Sequence, residues 1–241
     1  MPTRDVFRLR QWRQSVQKIY QQLLDLLFPI ACLGCNANGT FLCKNCQEQL
    51  PQNSKIIYAT SSQPDLTSED LAGVLAASRY QDSPLLQKAI YLFKYKHITK
   101  IGELLAPLLA KRLAPFLEKN PVRWLVIPIP LHQRKLMERG FNQNDLLAAG
   151  LQTFPELRVL LGRKNPLKRL RYTQSQTKLK SQERLQNVKG IFSVIDPSVV
   201  QGQNILIVDD LLTTGATLRS AAQVLKQAGA RQIWGLVLAQ D

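Results

Sequence analysis

The segment from Ile205 to Thr217 constrains this chain most, because it joins an aliphatic run, two adjacent acids and a loop of small residues. The four aliphatic residues at 205–208 have the composition of a short strand covered on both faces. Asp209 and Asp210 follow at its carboxyl end, where open α/β sheets bind their ligands. After Thr217 an amphipathic pattern predicts a helix. The segment therefore predicts a strand, a loop and a helix, with a binding site at the loop.

This loop has the properties of a phosphate site. Backbone N–H groups at a helix N-terminus bind anions, and the helix dipole adds about half a positive charge there. Two carboxylates beside such a loop suit sugar hydroxyls or a magnesium-bound sugar, so the pattern predicts a sugar phosphate as ligand. The residues leave one alternative open, a Rossmann-like strand and turn with two solvated aspartates. The loop residues are Thr213, Thr214, Gly215, Ala216 and Thr217.

The segment resembles the phosphoribosyl-pyrophosphate signature of type I phosphoribosyltransferases, a hydrophobic strand followed by two acids, two aliphatics and Thr-Thr-Gly-x-Thr. Every position matches. The resemblance implies that Asp209 and Asp210 hold ribose hydroxyls and that the 213–217 loop holds the 5′-phosphate, with Mg²⁺ carried largely by oxygens of the ligand. Adjacent carboxylates repel each other. We therefore expect replacement of both acids to leave the stability of the ligand-free protein unchanged or slightly higher.

The charge of the chain favours polyanionic partners. Lys and Arg number 32 against 17 acids, a formal net charge of +15, which suits nucleic acid, nucleotide phosphates or pyrophosphate. With 241 residues, 45% of them hydrophobic, the chain can bury one substantial core and a small extra module. The longest apolar stretch, 23–30, is interrupted by Asp25 and Pro29. We expect no integral membrane segment and, without a signal-peptide pattern, a cytoplasmic protein.

The four cysteines form two closely spaced CxxC pairs, Cys32 with Cys35 and Cys43 with Cys46. Two such pairs can bring four thiolates around one tetrahedral Zn²⁺ ion. Disulfides are the weaker interpretation because nothing marks the chain as secreted. A catalytic dithiol would not need two copies. The spacing predicts a structural zinc site with all four cysteines as ligands.

Three regions are expected along the chain. Residues 1–28 predict a basic amphipathic helix, which either packs on its own domain or lies on an anionic membrane surface. Residues 29–50 form the four-cysteine module, and residues 51–241 an α/β domain. The patterns predict a mostly parallel sheet of about five strands flanked by helices. The expected strands are 55–59, 71–79, 124–127, 205–208 and 233–238, and the expected helices are 84–96, 99–117, 143–150 and 218–228.

A second resemblance to the type I family follows the strand at 124–127. The proline-framed loop after this strand, 128–132, matches the loop that binds pyrophosphate in those enzymes through an unusual backbone conformation. The resemblance assigns pyrophosphate binding to Pro130, Leu131, His132, Arg134 and Arg139.

A basic stretch occupies residues 158–189. It contains ten lysines or arginines and a single acid, Glu183, and shows little hydrophobic periodicity. Three interpretations remain open: a mobile loop that closes over pyrophosphate, a ribbon along a nucleic-acid backbone, or a solvated insertion. A long loop inside a compact domain is usually functional.

The string PIPLHxRxxxERGFNQ from Pro128, together with the four-cysteine module, resembles the ComF family of competence-associated, phosphoribosyltransferase-like proteins. The resemblance extends from Cys32 to Leu238 and implies a type I phosphoribosyltransferase fold with a small N-terminal zinc lobe. It implies a protein of DNA uptake that binds phosphoribosyl pyrophosphate, as a phosphoribosyltransferase or as a non-catalytic single-stranded-DNA-binding adaptor. Competence helicase or recombination proteins are the implied partners. It also assigns a flexible basic loop containing Arg169, Arg171, Thr173, Gln176 and Arg184.

Overall fold

The structure is a computed structural model that describes residues 30–51, 56–58, 70–172 and 190–241, with 56–58 described as backbone. The chain divides after Glu48 into two units. The helix expected over 1–28 lies outside the described residues. None of the helices in the described ranges has the length and apolarity that a membrane span requires.

The first unit is organised around the cysteines. An antiparallel bridge joins Ala31 to Asn38, and a short helix, α1, spans Lys44–Glu48. The side chains of Cys32, Leu42 and Cys46 are buried. Two of the three buried side chains in residues 30–48 are cysteines, so the cluster of sulfur atoms is the main point of cohesion in this described part of the unit.

The second unit alternates strands and helices. A six-stranded sheet has the order β1-β2-β8-β7-β3-β4, and all its neighbouring strands are parallel except the edge pair β1 and β2. The strands are β1 (Ile56–Tyr58), β2 (Gly73–Arg79), β3 (Trp124–Pro128), β4 (Leu157–Val159), β5 (Leu167–Arg169), β6 (Phe192–Val194), β7 (Asn204–Leu212) and β8 (Gln232–Gln240). The helices are α2 (Pro84–Tyr95), α3 (Lys100–Lys119), α4 (Gln133–Arg139), α5 (Gln143–Ala149) and α6 (Ala216–Gln227).

The mostly parallel sheet expected from the sequence is confirmed, with one strand more than predicted. The additional strand is β4, and a further antiparallel pair joins β5, within the basic stretch, to β6, just after it. These elements have three residues each. A segment of that length is too short to show a hydrophobic period, which is why the sequence pattern did not reveal it.

Both faces of the sheet are covered. On one face Ile205 and Ile207 of β7 share a buried cluster with Leu218 of α6. On the other, the ring of Phe116 in α3 lies with its centroid 5.3 Å from that of Trp124 and 4.8 Å from that of Trp234. Strands buried on two sides are apolar at consecutive positions. This explains the uninterrupted aliphatic runs in β3 and β7.

The chain connections diverge between the paired strands β3 and β7. The chain leaves β3 through α4 and α5 toward β4 on one side, and leaves β7 through α6 toward β8 on the other. Ligands of open α/β sheets bind at such a switch point. Strand β3 ends at Pro128 opposite Val208, whereas β7 continues to Leu212 and pairs there with β8 alone. The strand predicted to end at Val208 thus includes both acids, which lie beyond the last residue of β7 that pairs with β3.

Candidate functional site

A cleft lies at the carboxyl ends of β3 and β7. The acids, the expected phosphate loop and four cationic side chains from separate parts of the chain meet there. The residues that line it include Lys94, Tyr95, Leu131, Lys135, Arg139, Gln143, Asn144, Arg169, Asp209 and Asp210, with residues 213–217.

Asp210 is buried and has a cationic partner. Nζ of Lys94 lies 2.9 Å from Oδ1 of Asp210, and the two side chains are only 17% and 9% exposed. Nε2 of Gln143 is 3.5 Å from the other carboxylate oxygen. Burial opposes protonation of Lys94, but the charge and hydrogen bond of Asp210, together with the charge of Asp209, outweigh it and raise the pKa of Lys94. The acid is therefore ion-paired before any ligand arrives.

Asp209 is held by hydrogen bonds. Its Oδ1 accepts from Nδ2 of Asn144 at 2.9 Å and from the backbone N–H of Asp210 at 3.0 Å. Burial and the neighbouring Asp210 carboxylate nevertheless raise the pKa of Asp209 to about 7. Burial lowers the pKa of Arg169, and the Asp209 charge opposes that decrease. A cation or hydroxyl group entering the cleft would favour the ionised form of Asp209.

Buried amides fix the backbone that faces the acids. Nδ2 of Asn142 and Nδ2 of Asn144 each donate to the carbonyl of Ile129 at 3.1 Å. Nδ2 of Asn165 donates to the carbonyl of Pro128 at 2.7 Å. Because these carbonyls follow or end β3, the amides hold the start of the 129–132 loop in one position. These buried amides thus orient the loop, and Asn144 also orients Asp209.

The expected phosphate loop forms at the start of α6. Gly215 has φ 69°, a left-handed conformation that glycine adopts without strain, and it is the N-cap of the helix. No side chain caps this end, so the first N–H groups of the helix remain available to an anion. Nη1 of Arg219 donates to the carbonyl of Thr214 at 3.0 Å and steadies the loop. Residues 213–217 all line the cleft beside the acids.

The residues expected to bind pyrophosphate are divided between two surfaces. Leu131 and Arg139 line the cleft, whereas His132 and Arg134 line a neighbouring shallow depression. Pro130 lines neither of them. His132 is the N-cap of α4, and its Nδ1 accepts from the N–H of Arg134 at 3.2 Å. The loop backbone is ordinary, since no residue from 129 to 132 has a positive φ.

In its described part, residues 158–172, the basic stretch contributes one residue to the cleft. Arg169, at the end of β5, lines it, and its guanidinium Cζ lies 5.5 Å from the centroid of the Phe192 ring. Arg171 is exposed. Thr173, Gln176 and Arg184 lie outside the described residues, so their predicted role stays a prediction.

Several cleft residues were not singled out from the sequence. Lys94 is a basic residue in the last turn of a helix, an ordinary position that signals nothing by itself. Lys135 lies within α4, a short helix rich in charged residues, and is equally inconspicuous. Gln143 was noted only as part of the RGFNQ string, and Asn144 comes directly after it. Their proximity to the acids depends on how the helices pack on the sheet.

The four cysteines form a cluster that can hold a metal ion such as zinc. Their sulfur atoms lie within 4.8 Å of one another, and Sγ of Cys35 is 3.6 Å from Sγ of Cys43. Tetrahedral coordination at about 2.3 Å separates ligand sulfurs by about 3.8 Å, so the spacing fits. Burial raises the pKa of the Cys32 thiol, but N–H groups of Cys43 and Cys35 outweigh it and lower that pKa to about 6. The backbone thus favours a thiolate ligand.

Comparison with known proteins agrees with this geometry. Over 161 residues, the chain is 34% identical to the DNA utilization protein YhgH of Escherichia coli strain K12, covering 64% of this chain and 67% of YhgH. It is 41% identical over 106 residues to the competence protein ComFC of Bacillus subtilis strain 168, covering 44% of this chain and 40% of ComFC. The chain belongs to the ComF family.

The family model described as a phosphoribosyl transferase domain matches residues 146–240. That range contains β7, the 213–217 loop and α6. A ribose-phosphate pyrophosphokinase of Ralstonia nicotianae is 46% identical over 48 residues, 20% of this chain and 15% of that protein. This ComF-family chain therefore has a type I phosphoribosyltransferase fold with an N-terminal four-cysteine lobe. Lys94, Lys135 and Arg139 lie outside the matched range.

Proposed function

We propose that this protein binds phosphoribosyl pyrophosphate, or a closely related nucleotide phosphate, in the cleft. The observation that carries the proposal is the meeting of the paired acids with the uncapped N-terminus of α6 in one opening. Asp209 and Asp210 would accept hydrogen bonds from the ribose 2′- and 3′-hydroxyls, and the amides of 213–217 would hold the 5′-phosphate. Both groups occur side by side in a phosphorylated ribose.

The cations of the cleft would neutralise the pyrophosphate. Lys135 and Arg139 of α4 and Arg169 of β5 line the cleft. Their positive charges would offset the several negative charges of a pyrophosphate. Burial, Arg169 and Arg139 together lower the pKa of Lys135, which is the expected effect of cations converging on one point. Bound Mg²⁺ would be held by pyrophosphate and ribose oxygens beside the two acids and would supply further neutralising charge.

The chemistry that this arrangement favours is transfer of the phosphoribosyl group. The bond between C1 of the ribose and the pyrophosphate oxygen breaks, and its electron pair leaves with the pyrophosphate. A nitrogen lone pair of the acceptor forms the new bond to C1 and the nitrogen then loses its proton. The protein would act by holding the ribose and stabilising the leaving charge rather than by covalent attack.

Within the N-terminal unit, we propose zinc as the metal of the cysteine cluster. Four sulfur donors at tetrahedral spacing are the donor set of structural zinc sites. Binding would contribute directly to the folding of this unit, because the four ligands come together only in its folded state.

We propose that the protein acts in the cytoplasm during DNA uptake and natural transformation. Support comes from the names of the relatives, a DNA utilization protein and a competence protein. A net charge of +15 favours binding to a polyanion such as DNA. Helicase or recombination proteins of the competence machinery are the partners that such a role implies.

A second candidate is a non-catalytic adaptor that binds single-stranded DNA. The basic composition favours it, because ten cations in residues 158–189 exceed what one pyrophosphate needs. In such an adaptor the cleft binds a nucleotide without turning it over.

Two measurements test the proposal. Thermal-shift titration with phosphoribosyl pyrophosphate and Mg²⁺ should stabilise the parent progressively as ligand exceeds its dissociation constant. The Asp209→Asn/Asp210→Asn variant should show no such response. Pyrophosphate release in the presence of a panel of nitrogen bases then separates the enzyme from the adaptor. An equal ligand response in variant and parent would overturn the site assignment.

A further inference from the structure

Three tyrosines beside the cleft are exposed to an unusual extent. Tyr91 is 52% exposed, Tyr95 48% and Tyr172 36%. Tyr91 and Tyr95 stand one turn apart on α2, with ring centroids separated by 5.2 Å. We call these three residues the tyrosine rim.

Each end of the tyrosine rim is paired with cations. Cζ of Arg139 lies 5.7 Å from the centroid of the Tyr95 ring. Around Tyr172, Cζ of Arg134 lies at 5.1 Å and Nζ of Lys135 at 5.7 Å. The two ends of the rim are therefore linked by cations that all belong to α4.

The imidazole of His132 completes the surroundings of Tyr172, with its ring centroid 5.5 Å away and nearly perpendicular. The acid on this surface is Glu138, which is more than half exposed and 3.4 Å from Nε of Arg134. The rim thus carries more positive than negative charge, and it presents ring surface to the solvent.

The alternation of aromatic rings and cations points to a specific type of ligand. Apolar side chains this exposed mark interaction surfaces when they cluster. Single-stranded nucleic acids bind surfaces on which bases stack on aromatic rings while cations follow the phosphates. A double helix would not suit the rim, since its bases are already stacked on one another.

We propose that the tyrosine rim is a binding site for the bases of single-stranded nucleic acid, with Arg134, Lys135 and Arg139 contacting the phosphates between them. This inference deepens the proposed function, on which its link to the cleft rests: Tyr95, Lys135 and Arg139 also line that cleft. The rim and the acids nevertheless bind different ligands.

The strand remains outside the acid site for a chemical reason. Asp209 and Asp210 suit two free ribose hydroxyls. A nucleotide within a DNA strand has no 2′-hydroxyl, and its 3′-oxygen is esterified. An internal nucleotide of a DNA strand therefore offers the acids no free hydroxyl, whereas phosphoribosyl pyrophosphate offers both.

A base-dependent binding measurement tests the rim. Fluorescence anisotropy compares a labelled oligothymidylate with an abasic strand of the same length, which has the same phosphates without bases. The parent should prefer the oligothymidylate. Tyr95→Ala and Tyr172→Ala should each weaken its binding by about fivefold or more and leave the abasic strand unaffected.

Matched variants separate stacking from charge. Tyr95→Phe and Tyr172→Phe keep the rings and should bind like the parent. Arg134→Gln should weaken both strands, whereas Arg123→Gln, an exposed arginine just before the amino end of β3, should weaken neither.

Failure of the rim and failure of the proposed function give different results. Asp209→Asn should lose the thermal response to phosphoribosyl pyrophosphate and keep the oligothymidylate affinity, and Tyr172→Ala, at a residue that does not line the cleft, should do the reverse. The proposal that the rim binds bases would be overturned by either of two results. One is equal affinity of the parent for the oligothymidylate and the abasic strand, and the other is unchanged oligothymidylate binding in both alanine variants. Absence of the phosphoribosyl pyrophosphate response in the parent would overturn only the proposed function.

Discussion

Lys94 at the end of α2 and Asp210 within β7 form an ion pair of 2.9 Å at the base of the cleft, where both side chains are largely removed from solvent. The pair gives Asp210 a role in the ligand-free protein as well as in the proposed complex. In the proposed complex, a ligand hydroxyl bound at Oδ1 of Asp210 would compete with the ammonium group of Lys94 for that oxygen.

The first prediction is that Asp210→Asn lowers the free energy of unfolding, by about 1–3 kcal/mol. The substitution removes the carboxylate that lies 2.9 Å from the ammonium group of Lys94, at a position with little solvent. Denaturant unfolding at pH 7 measures the decrease, and the Asp210→Asn/Lys94→Met variant should recover part of it. The exposed pair of Lys100 and Glu103 is the control, since Glu103→Gln should have a small effect.

This prediction revises the expectation from sequence that replacing both acids would not destabilise the ligand-free protein. The expectation considered only the repulsion between the two carboxylates. The structure adds the buried contact between Lys94 and Asp210, which the substitution would break. A stability of Asp210→Asn equal to that of the parent would contradict the importance of the ion pair.

The second prediction concerns Asp209 and pH. Its pKa is about 7 in the folded protein, against an ordinary value of 3.8. Between these values the folded state holds a proton that the unfolded state has lost, so the contribution of Asp209 to stability falls as pH rises from about 4 to about 7. Asp209→Asn removes this penalty. Without ligand, the variant should therefore gain more over the parent at pH 8 than at pH 5.

Chemical denaturation at the two pH values measures that difference, with the parent measured in the same buffers. Asn144 should remain hydrogen-bonded to the substituted amide, which limits other losses. The opposite order, with a larger gain at pH 5, would show that Asp209 is stabilised in its ionised form.

The third prediction is one Zn²⁺ ion per chain. Elemental analysis of protein purified without chelator should find about one equivalent, and Cys35→Ser should lower the zinc content. The exposed Cys35 is the best site to replace, since its substitution removes a ligand without creating a cavity. Less than about half an equivalent in the parent would count against the site.

The fourth prediction concerns the salt dependence of DNA binding. If the basic stretch follows a phosphate backbone, affinity should fall steeply with salt. Arg171→Gln with Lys178→Gln should then reduce the log–log slope by about 0.7 for each single-strand phosphate that the variant no longer neutralises. Arg169 is left intact because it lines the cleft. A slope equal to that of the parent would indicate that the stretch does not follow a nucleic-acid backbone, and that it either closes over the ligand of the cleft or is a solvated insertion.

The sequence by itself determined the local units. The acids, the 213–217 loop and the paired cysteines are each made by residues close together in the chain, so their geometry follows from strand, helix and turn preferences. The aliphatic runs of β3 and β7 likewise predicted a parallel sheet covered on both faces, because such burial requires apolar residues at successive positions.

Only the tertiary structure decided what surrounds those units. Lys94, Asn144 and Arg169 come from two helices and a short strand, and they meet the acids because tertiary packing places all three elements around one cleft. The tyrosine rim arises in the same way from α2 and the segment after β5. Such proximity depends on packing between distant segments, which no local pattern encodes.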